Sequence, residues 1–273
     1  MRKENNTYEK KDKKHQDFTV EFIIKNAGYD LLIAAEHIKY FKYNEKWRIV
    51  KKSDIRDFNH KEIAKLKYII KELVDLYKAK INLHNISFLK LCKGHEWDFP
   101  YTFVHKDKNI IVLTETFLAN NLILDTTKIY KTIYHEIIHL EQKNNSKKYN
   151  DMYKKYLNFD YVKIENLDLI RNNILTNPDG FYNSDYVWIF GGNILPFLSI
   201  NLDNKLVYVY QNNNKWFIDI NQGIKDIMYE PKLYYNFKLR NGQFLHNQLY
   251  HPNEIYANLK SDYIISKNHI SFY

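Results

Sequence analysis

The sequence predicts an α+β fold, in which helical and β-rich segments occupy separate stretches of the chain. Apolar residues recur at helical spacing over residues 59–77 and again over residues 126–142, whereas alternating β-prone runs dominate from about residue 187 to 245. The chain has 273 residues and 45% hydrophobic content, which is enough to bury a sizeable core. We predict a disordered basic tail over residues 1–16 and a single domain over residues 17–273.

The first part of this domain is predicted to be an N-terminal helical region. One helix is expected through LLIAAEHIKYF at residues 31–41. The next helix is better defined, because Asn59 and Glu62 have the spacing of a capping box and the apolar residues from Leu66 to Leu73 share one face. Nothing in this second helix suggests chemistry, so we assign it to the core.

A hairpin and a third helix are predicted next. Residues 99–113 change to a β period, with Ile110–Leu113 as the second strand of the hairpin. Asp125, Thr126 or Thr127 can cap a helix that runs through KIYKTIYHEIIHLEQ. The hairpin and this helix suggest a small sheet packed over the helix.

The last part of the chain is predicted to be a β-rich stretch followed by one helix. The runs LVYVY and WFIDI flank QNNNK as a hairpin, and KLYYNFKL is a further β-prone run. Pro252 suits the first position of a helix that carries NEIYANLKSDYII.

The motif HEIIH carries the chemistry of this sequence. His135 and His139 are four residues apart, so a helix places both imidazoles on one face, where they can bind the same ion. Zinc is the expected cofactor, with one ion per chain. Glu136 lies beside the position of a metal-activated water and can act as its general base. The pattern predicts a zinc-dependent hydrolase.

A catalytic zinc site needs a third protein ligand, and Glu254 is the strongest candidate. Glu254 lies on the helix opened by Pro252, whose face continues through Ala257 and Asn258. Alanine permits close approach of two helices, and the Asn258 amide can hydrogen-bond a ligating imidazole. The rival third ligands are His251, Glu141 and Asp179.

Together, HEIIH and NEIYA resemble the gluzincins, a class of zinc metallopeptidases in which a glutamate on a later helix completes the HExxH site. The resemblance implies a zincin-like fold and peptide-bond hydrolysis. It also implies that the residue at position 258 orients the first histidine, although gluzincins have a carboxylate there and this chain has Asn258. Glu254 lies 115 positions after His139, so the segment of about residues 187–245 is interpreted as a β-rich insertion before the ligand helix.

A wider pattern resembles a group of zinc metallopeptidases encoded by large DNA viruses and some cellular genomes. The shared positions are Gln142 in HExxHxxQ, Asn177-Pro178-Asp179 followed by Trp188, and His251-Pro252-Glu254-Ala257. This resemblance covers roughly residues 99–265.

Two further roles follow from the resemblance. In zincins the strand before the metal helix is an edge strand that pairs with the substrate, which here implies Ile110, Ile111, Val112 and Leu113. His251 or Tyr250, which precede Glu254, are expected to donate a hydrogen bond to the oxyanion of the transition state.

The net charge of +9 leaves a second hypothesis open. A basic nucleic-acid-binding or virion-associated protein, with a structural or degenerate zinc site, would use its lysines for phosphates and its 24 tyrosines for base stacking. The hypotheses differ at Glu136, because a structural site has no use for a general base. A peptidase is expected to bind a peptide or protein substrate.

The termini and apolar runs predict an intracellular protein. No run approaches the roughly 18 apolar residues of a membrane span, and the N-terminus lacks the apolar stretch of a signal peptide. We expect the cytoplasm, or the host cytoplasm or the virion if the protein is viral.

Overall fold

A computed structural model of the chain contains both helices and sheets, as an α+β fold requires. The structure describes residues 42–43, 46–47, 54–77, 86–92, 100–105, 108–122, 126–174, 186–199, 201, 203–230, 233, 237, 245 and 249–267. The described α-helices are α1 (His60–Tyr77), α2 (Glu115–Leu122), α3 (Thr126–Asn144), α4 (Ser146–Met152), α5 (Asp168–Arg171) and α6 (Pro252–Lys267).

The N-terminal predictions fall mostly outside the described residues. This applies to the tail over residues 1–16 and to the helix over residues 31–41. Within the region expected to be helical, the structure describes two short antiparallel strands, β1 (Lys42–Tyr43) and β2 (Lys46–Trp47). Tyr43 and Trp47 are aromatic residues of the kind that favour strands.

A four-stranded sheet forms the first half of the fold. Its strands are β3 (Ile55–Arg56), β4 (Ile86–Leu91), β5 (Tyr101–His105) and β6 (Lys108–Thr114), in the order β3-β4-β6-β5. β4 and β6 are parallel, whereas the other two pairs are antiparallel. A core of buried side chains from this sheet and from α1, α2 and α3 holds the sheet against the helices.

The prediction that Ile110, Ile111, Val112 and Leu113 form an edge strand was wrong. These residues belong to β6, which lies inside the sheet with β4 on one side and β5 on the other, and all four are completely buried. The hairpin itself is confirmed, with Tyr101 opposite Val112. The edge next to β6 is therefore the first strand of that hairpin, β5.

The predicted capping box of α1 is confirmed. Asn59 N–H donates to Glu62 Oε2 over 2.7 Å, and Glu62 N–H donates to Asn59 Oδ1 over 3.0 Å. The same carboxylate accepts from Lys90 Nζ of β4 at 3.0 Å, and both side chains are nearly buried. Glu62 thus caps the N-terminus of α1 and also connects this helix to β4 of the sheet.

The second sheet is antiparallel and lies between α3 and α6 in the sequence. Its strands are β7 (Phe159–Lys163), β8 (Tyr186–Phe190), β9 (Ile194–Leu198), β10 (Asn204–Asn212), β11 (Lys215–Ile218) and β12 (Lys225–Asp226). The order is β11-β10-β9-β8-β7, and β12 also pairs with β10. The sheet curls so that its two outer strands approach each other. A bridge between Ile164, which follows β7, and Trp216 of β11 shows this contact.

The β-rich segment differs in extent from the predicted 187–245. It begins earlier, at Phe159, since β7 pairs with β8 along its whole length. The hairpin around QNNNK is confirmed as β10 and β11, which turn at Asn213 and Asn214, both with positive φ. Most of KLYYNFKL lies outside the described residues.

The metal-motif helix α3 and the last helix α6 pack side by side, both at the predicted positions. Ala257 of α6 is completely buried in the same core as Ile133 and Ile137 of α3. A second core joins Ile255 of α6 to Phe159 and other residues of the curled sheet. The first residues of α6 are therefore held from two sides.

No helix within the described part of the chain is both long enough and apolar enough to cross a membrane.

Candidate metal centre

The two histidines of HEIIH lie one above the other on α3. Ile133, Ile137 and Leu140 bury the core-facing side of this helix. His135 and His139 consequently project together toward α6, with their Nε2 atoms 2.8 Å apart and their rings edge to face. The sequence prediction that this spacing brings two imidazoles together is confirmed.

Glu254 completes the group, as the sequence predicted. Its Oε2 lies 3.3 Å from His135 Nε2 and its Oε1 lies 3.4 Å from His139 Nε2. All three ligand atoms lie within 4.8 Å of one another. The side chain of His135 is 13% exposed, compared with 1% for His139 and 6% for Glu254, so the group opens to solvent on the His135 side.

The carboxylate of Glu254 is stabilised in its charged form. Burial alone raises the pKa of a carboxyl group, but the charge and hydrogen bonds of His139 and His135 lower the pKa of Glu254 well below its usual range. An ionised carboxylate beside two ring nitrogens is a donor set that zinc prefers.

The spacing of the three residues fits zinc. Bonds of about 2.1 Å in tetrahedral geometry place neighbouring ligand atoms about 3.4 Å apart. Both distances from Glu254 to the imidazoles match this value, whereas the two ring nitrogens, 2.8 Å apart, need to separate by roughly half an ångström. Three protein ligands leave a fourth position open, which is the pattern of catalytic sites.

A buried amide links His139 to the start of α6. His139 Nδ1 lies 2.7 Å from Gln142 Oε1, and Gln142 Nε2 donates to the Asn253 carbonyl over 3.0 Å. Asn253 immediately precedes Glu254, and both Gln142 and Asn253 are buried. Sequence analysis placed Gln142 in a motif but gave it no role. Its position three residues after His139, on the same helix face, was the available signal.

The rival ligand Glu141 faces another partner. Its Oε2 accepts a hydrogen bond from the Tyr149 hydroxyl over 2.8 Å. Burial raises the pKa of Glu141, and this hydrogen bond opposes the increase. The other rivals are His251, described below, and Asp179, which lies outside the described residues. Of the three candidates that the structure describes, Glu254 is the one in the group with His135 and His139.

The predicted base, Glu136, is adjacent to His135 on α3 and is buried, with 5% of its surface exposed. At about 100° per residue, its position on the helix lies between the face of Ile133 and Ile137 and the face of His135 and His139.

His251 and Tyr250 lie immediately before α6. His251 is buried, its Nδ1 accepts a hydrogen bond from Asn253 N–H over 3.0 Å, and its ring packs at 4.5 Å against Trp188 of β8. Tyr250 is half-buried, with its ring centroid 6.5 Å from that of His251. The Trp188 and His251 positions of the sequence pattern are therefore in contact.

Asn258 makes a hydrogen bond within its own helix. Its amide Nδ2 donates to the Glu254 carbonyl over 2.8 Å, within α6 itself. A side chain on a helix can reach the carbonyl one turn earlier in this way. The amide in contact with an imidazole of the group is that of Gln142, whose Oε1 lies 2.7 Å from His139 Nδ1.

Comparisons with known proteins do not extend this picture. No family model matches the chain, and neither curated proteins nor solved structures give a significant match.

Proposed function

We propose that this protein is a zinc-dependent peptidase of gluzincin type, with His135, His139 and Glu254 as ligands. The observation that carries the proposal is the convergence of these three side chains from two helices, because Glu254 was selected from the sequence as their partner and lies 3.3–3.4 Å from both imidazoles. When bound, zinc acts as a Lewis acid that polarises a carbonyl and lowers the pKa of water.

The residues around the ligands have distinct roles in this proposal. Glu136 takes a proton from the attacking water and delivers it to the leaving amine. His251 or Tyr250 donates a hydrogen bond to the oxygen that becomes negatively charged. His251 suits this role because Nδ1 accepts from Asn253 N–H, which leaves the ring proton on Nε2.

Substrate binding is reassigned from β6 to β5. An extended peptide can add only to a strand with an open side, and β6 is paired on both sides. β5 pairs with β6 alone among the described strands, and it lies against α3. We propose that the substrate backbone pairs with β5 beyond Thr102, whose carbonyl already accepts a hydrogen bond from Lys143 Nζ over 2.7 Å.

A second candidate function is nucleic-acid binding with a structural metal site. The specific observation is a set of exposed aromatic rings on the curled sheet, with Tyr210 stacked on Phe217 and Tyr161 in contact with Tyr186. Rings of this kind can stack on unpaired bases. This function does not need Glu136.

The test combines metal content with cleavage of an unstructured protein, for wild type, Glu254→Ala and Glu136→Gln. We expect wild type to hold about one zinc per chain, Glu254→Ala to lose it, and Glu136→Gln to keep it without cleaving. Glu141→Gln is the matched control, since its carboxylate bonds Tyr149, and it should keep both metal and activity.

The opposite results are equally informative. A metal-free wild type, or zinc retained by Glu254→Ala, excludes this ligand set. Zinc without any activity that depends on Glu136, together with salt-dependent binding of single-stranded nucleic acid, favours the second candidate.

A further inference from the structure

The buried amide of Gln142 has a defined orientation, although amide oxygen and nitrogen look alike in outline. A backbone carbonyl can only accept a hydrogen bond, so the Gln142 atom 3.0 Å from the Asn253 carbonyl must be the NH₂ group. The amide oxygen then faces His139 at 2.7 Å.

This orientation determines the tautomer of His139. Because Gln142 Oε1 is an acceptor, His139 Nδ1 must carry the hydrogen in their 2.7 Å contact. In the neutral ring, the form that binds a metal, the lone pair is then on Nε2, the atom that lies 3.4 Å from Glu254 Oε1 and belongs to the ligand group. The Asn253 carbonyl thus selects, through one side chain, which nitrogen of His139 is offered to a metal.

The same contacts also set the relative position of the two ligand helices. Gln142 lies on α3 one turn after His139, whereas Asn253 is the residue before Glu254 on α6. Both side chains and the carbonyl are in a buried environment, where a hydrogen bond is strong and a missing partner is costly. A shift of either helix would break the contact.

We propose that Gln142 is a positioning residue of the metal centre, which fixes the His139 tautomer and connects that imidazole to the start of the ligand helix. This inference rests on the metal centre proposed above. It assigns Gln142 two separable contributions: an acceptor for His139, which governs metal affinity, and a donor to Asn253, which governs the packing of α6.

Two substitutions separate these contributions. Gln142→Met has a similar length but neither accepts nor donates, and we expect zinc affinity to fall about 10-fold to 100-fold, as is typical when a partner of a ligating histidine is removed. Gln142→Glu keeps the acceptor and loses the donor. It should bind zinc as tightly as wild type or more tightly, while it unfolds at lower urea than wild type because the Asn253 carbonyl loses its donor.

The measurements are zinc affinity by chelator competition and the visible absorption spectrum of the cobalt(II)-substituted protein. The spectrum should change in Gln142→Met, because the geometry of His139 changes, and be restored in Gln142→Glu. Asn166→Leu is the matched control. Like Gln142, Asn166 uses both ends of its side-chain amide for hydrogen bonds. Its partners are the backbone N–H and carbonyl of Ile218, in the curled sheet. It should lower stability and leave affinity and spectrum unchanged.

The outcomes distinguish this inference from the proposed function. If wild type binds zinc through Glu254 but Gln142→Met keeps wild-type affinity and spectrum, the positioning role is wrong and the metal centre stands. If Gln142→Met fails to fold, Gln142→Glu decides, since a 10-fold or greater loss of affinity there contradicts the acceptor role. A wild-type protein that binds no zinc overturns both proposals.

Discussion

Glu254 is a buried carboxylate whose charge depends on its two imidazole neighbours. A carboxylate removed from water without partners is costly, and His135 and His139 provide those partners at 3.3 and 3.4 Å. Their effect on the pKa of Glu254 outweighs that of burial, so the carboxylate is already ionised in the form that binds a metal. The charged state of Glu254 therefore depends on both imidazoles.

Asn258→Ala tests whether the residue four positions after Glu254 orients a ligand. Its amide donates to the Glu254 carbonyl inside α6, so we expect wild-type zinc content and a loss of at most about 1 kcal/mol of unfolding free energy. Metal content and urea denaturation provide the measurements. A 10-fold loss of zinc affinity would instead restore the role that the resemblance implied.

His251→Phe tests the oxyanion donor while it preserves a ring against Trp188. We expect kcat to fall about 100-fold to 1000-fold because the Nε2 donor is lost, with zinc content unchanged. Tyr250→Phe, which removes only a hydroxyl, is the paired variant and should retain nearly full kcat. The reverse pattern would assign the donor to Tyr250, and full activity in both variants would contradict either assignment.

At the scale of single elements, the buried pair of Glu62 and Lys90 fixes α1 to the first sheet. Lys90→Met leaves the Glu62 carboxylate buried beside an apolar chain, and we expect a loss of about 3–5 kcal/mol of unfolding free energy. Glu62→Gln in the same protein removes the charge and keeps the capping box, so the double variant should recover most of that loss. Urea denaturation measures both.

The control for this prediction is the exposed pair of Arg171 and Asp168, whose acidic partner is 87% exposed. Arg171→Met should cost less than about 1 kcal/mol, as surface pairs usually do. A Lys90→Met variant as stable as the Arg171 variant would show that the buried pair contributes little.

Elements with local signals were predictable from the sequence. The helical period, the capping box at Asn59 and the proline at position 252 placed α1, α3 and α6. The position of β6 within its sheet was not predictable in this way. All six residues of β4 are buried, so this strand lacks the alternation that identifies a half-buried strand. The edge position of β6 followed from the zincin resemblance, and no predicted strand contradicted it.

In the site, the three ligand residues were predictable from the sequence, but the contact that links their helices was not. His135 and His139 follow from helical spacing, and Glu254 follows from a helix with a small residue at its contact face. The contact between Gln142 and Asn253 joins residues 111 positions apart. No periodicity encodes which backbone carbonyl meets a side chain from another helix, so this contact emerged only from the packing of α3 on α6.

At the scale of the whole molecule, the curled sheet holds the third ligand in place. His139 and Glu254 are 115 positions apart, and the intervening chain forms the curled sheet and returns to α3. Ile255, next to Glu254, packs in the core that includes Phe159 and Phe190 of that sheet. The β-rich segment thus carries Glu254 back to the two histidines.

A metal bound between α3 and α6 should therefore stabilise the entire fold. Zinc that binds the native state at 100 times its dissociation constant adds about 2.7 kcal/mol to the free energy of unfolding. For a chain of this size we expect the melting temperature to rise by about 5–10 °C, because each 1 kcal/mol corresponds to about 2–4 °C. A chelator should reverse the increase in wild type and have no effect on Glu254→Ala. Equal zinc-dependent increases in both proteins would mean that the ion binds elsewhere on the chain.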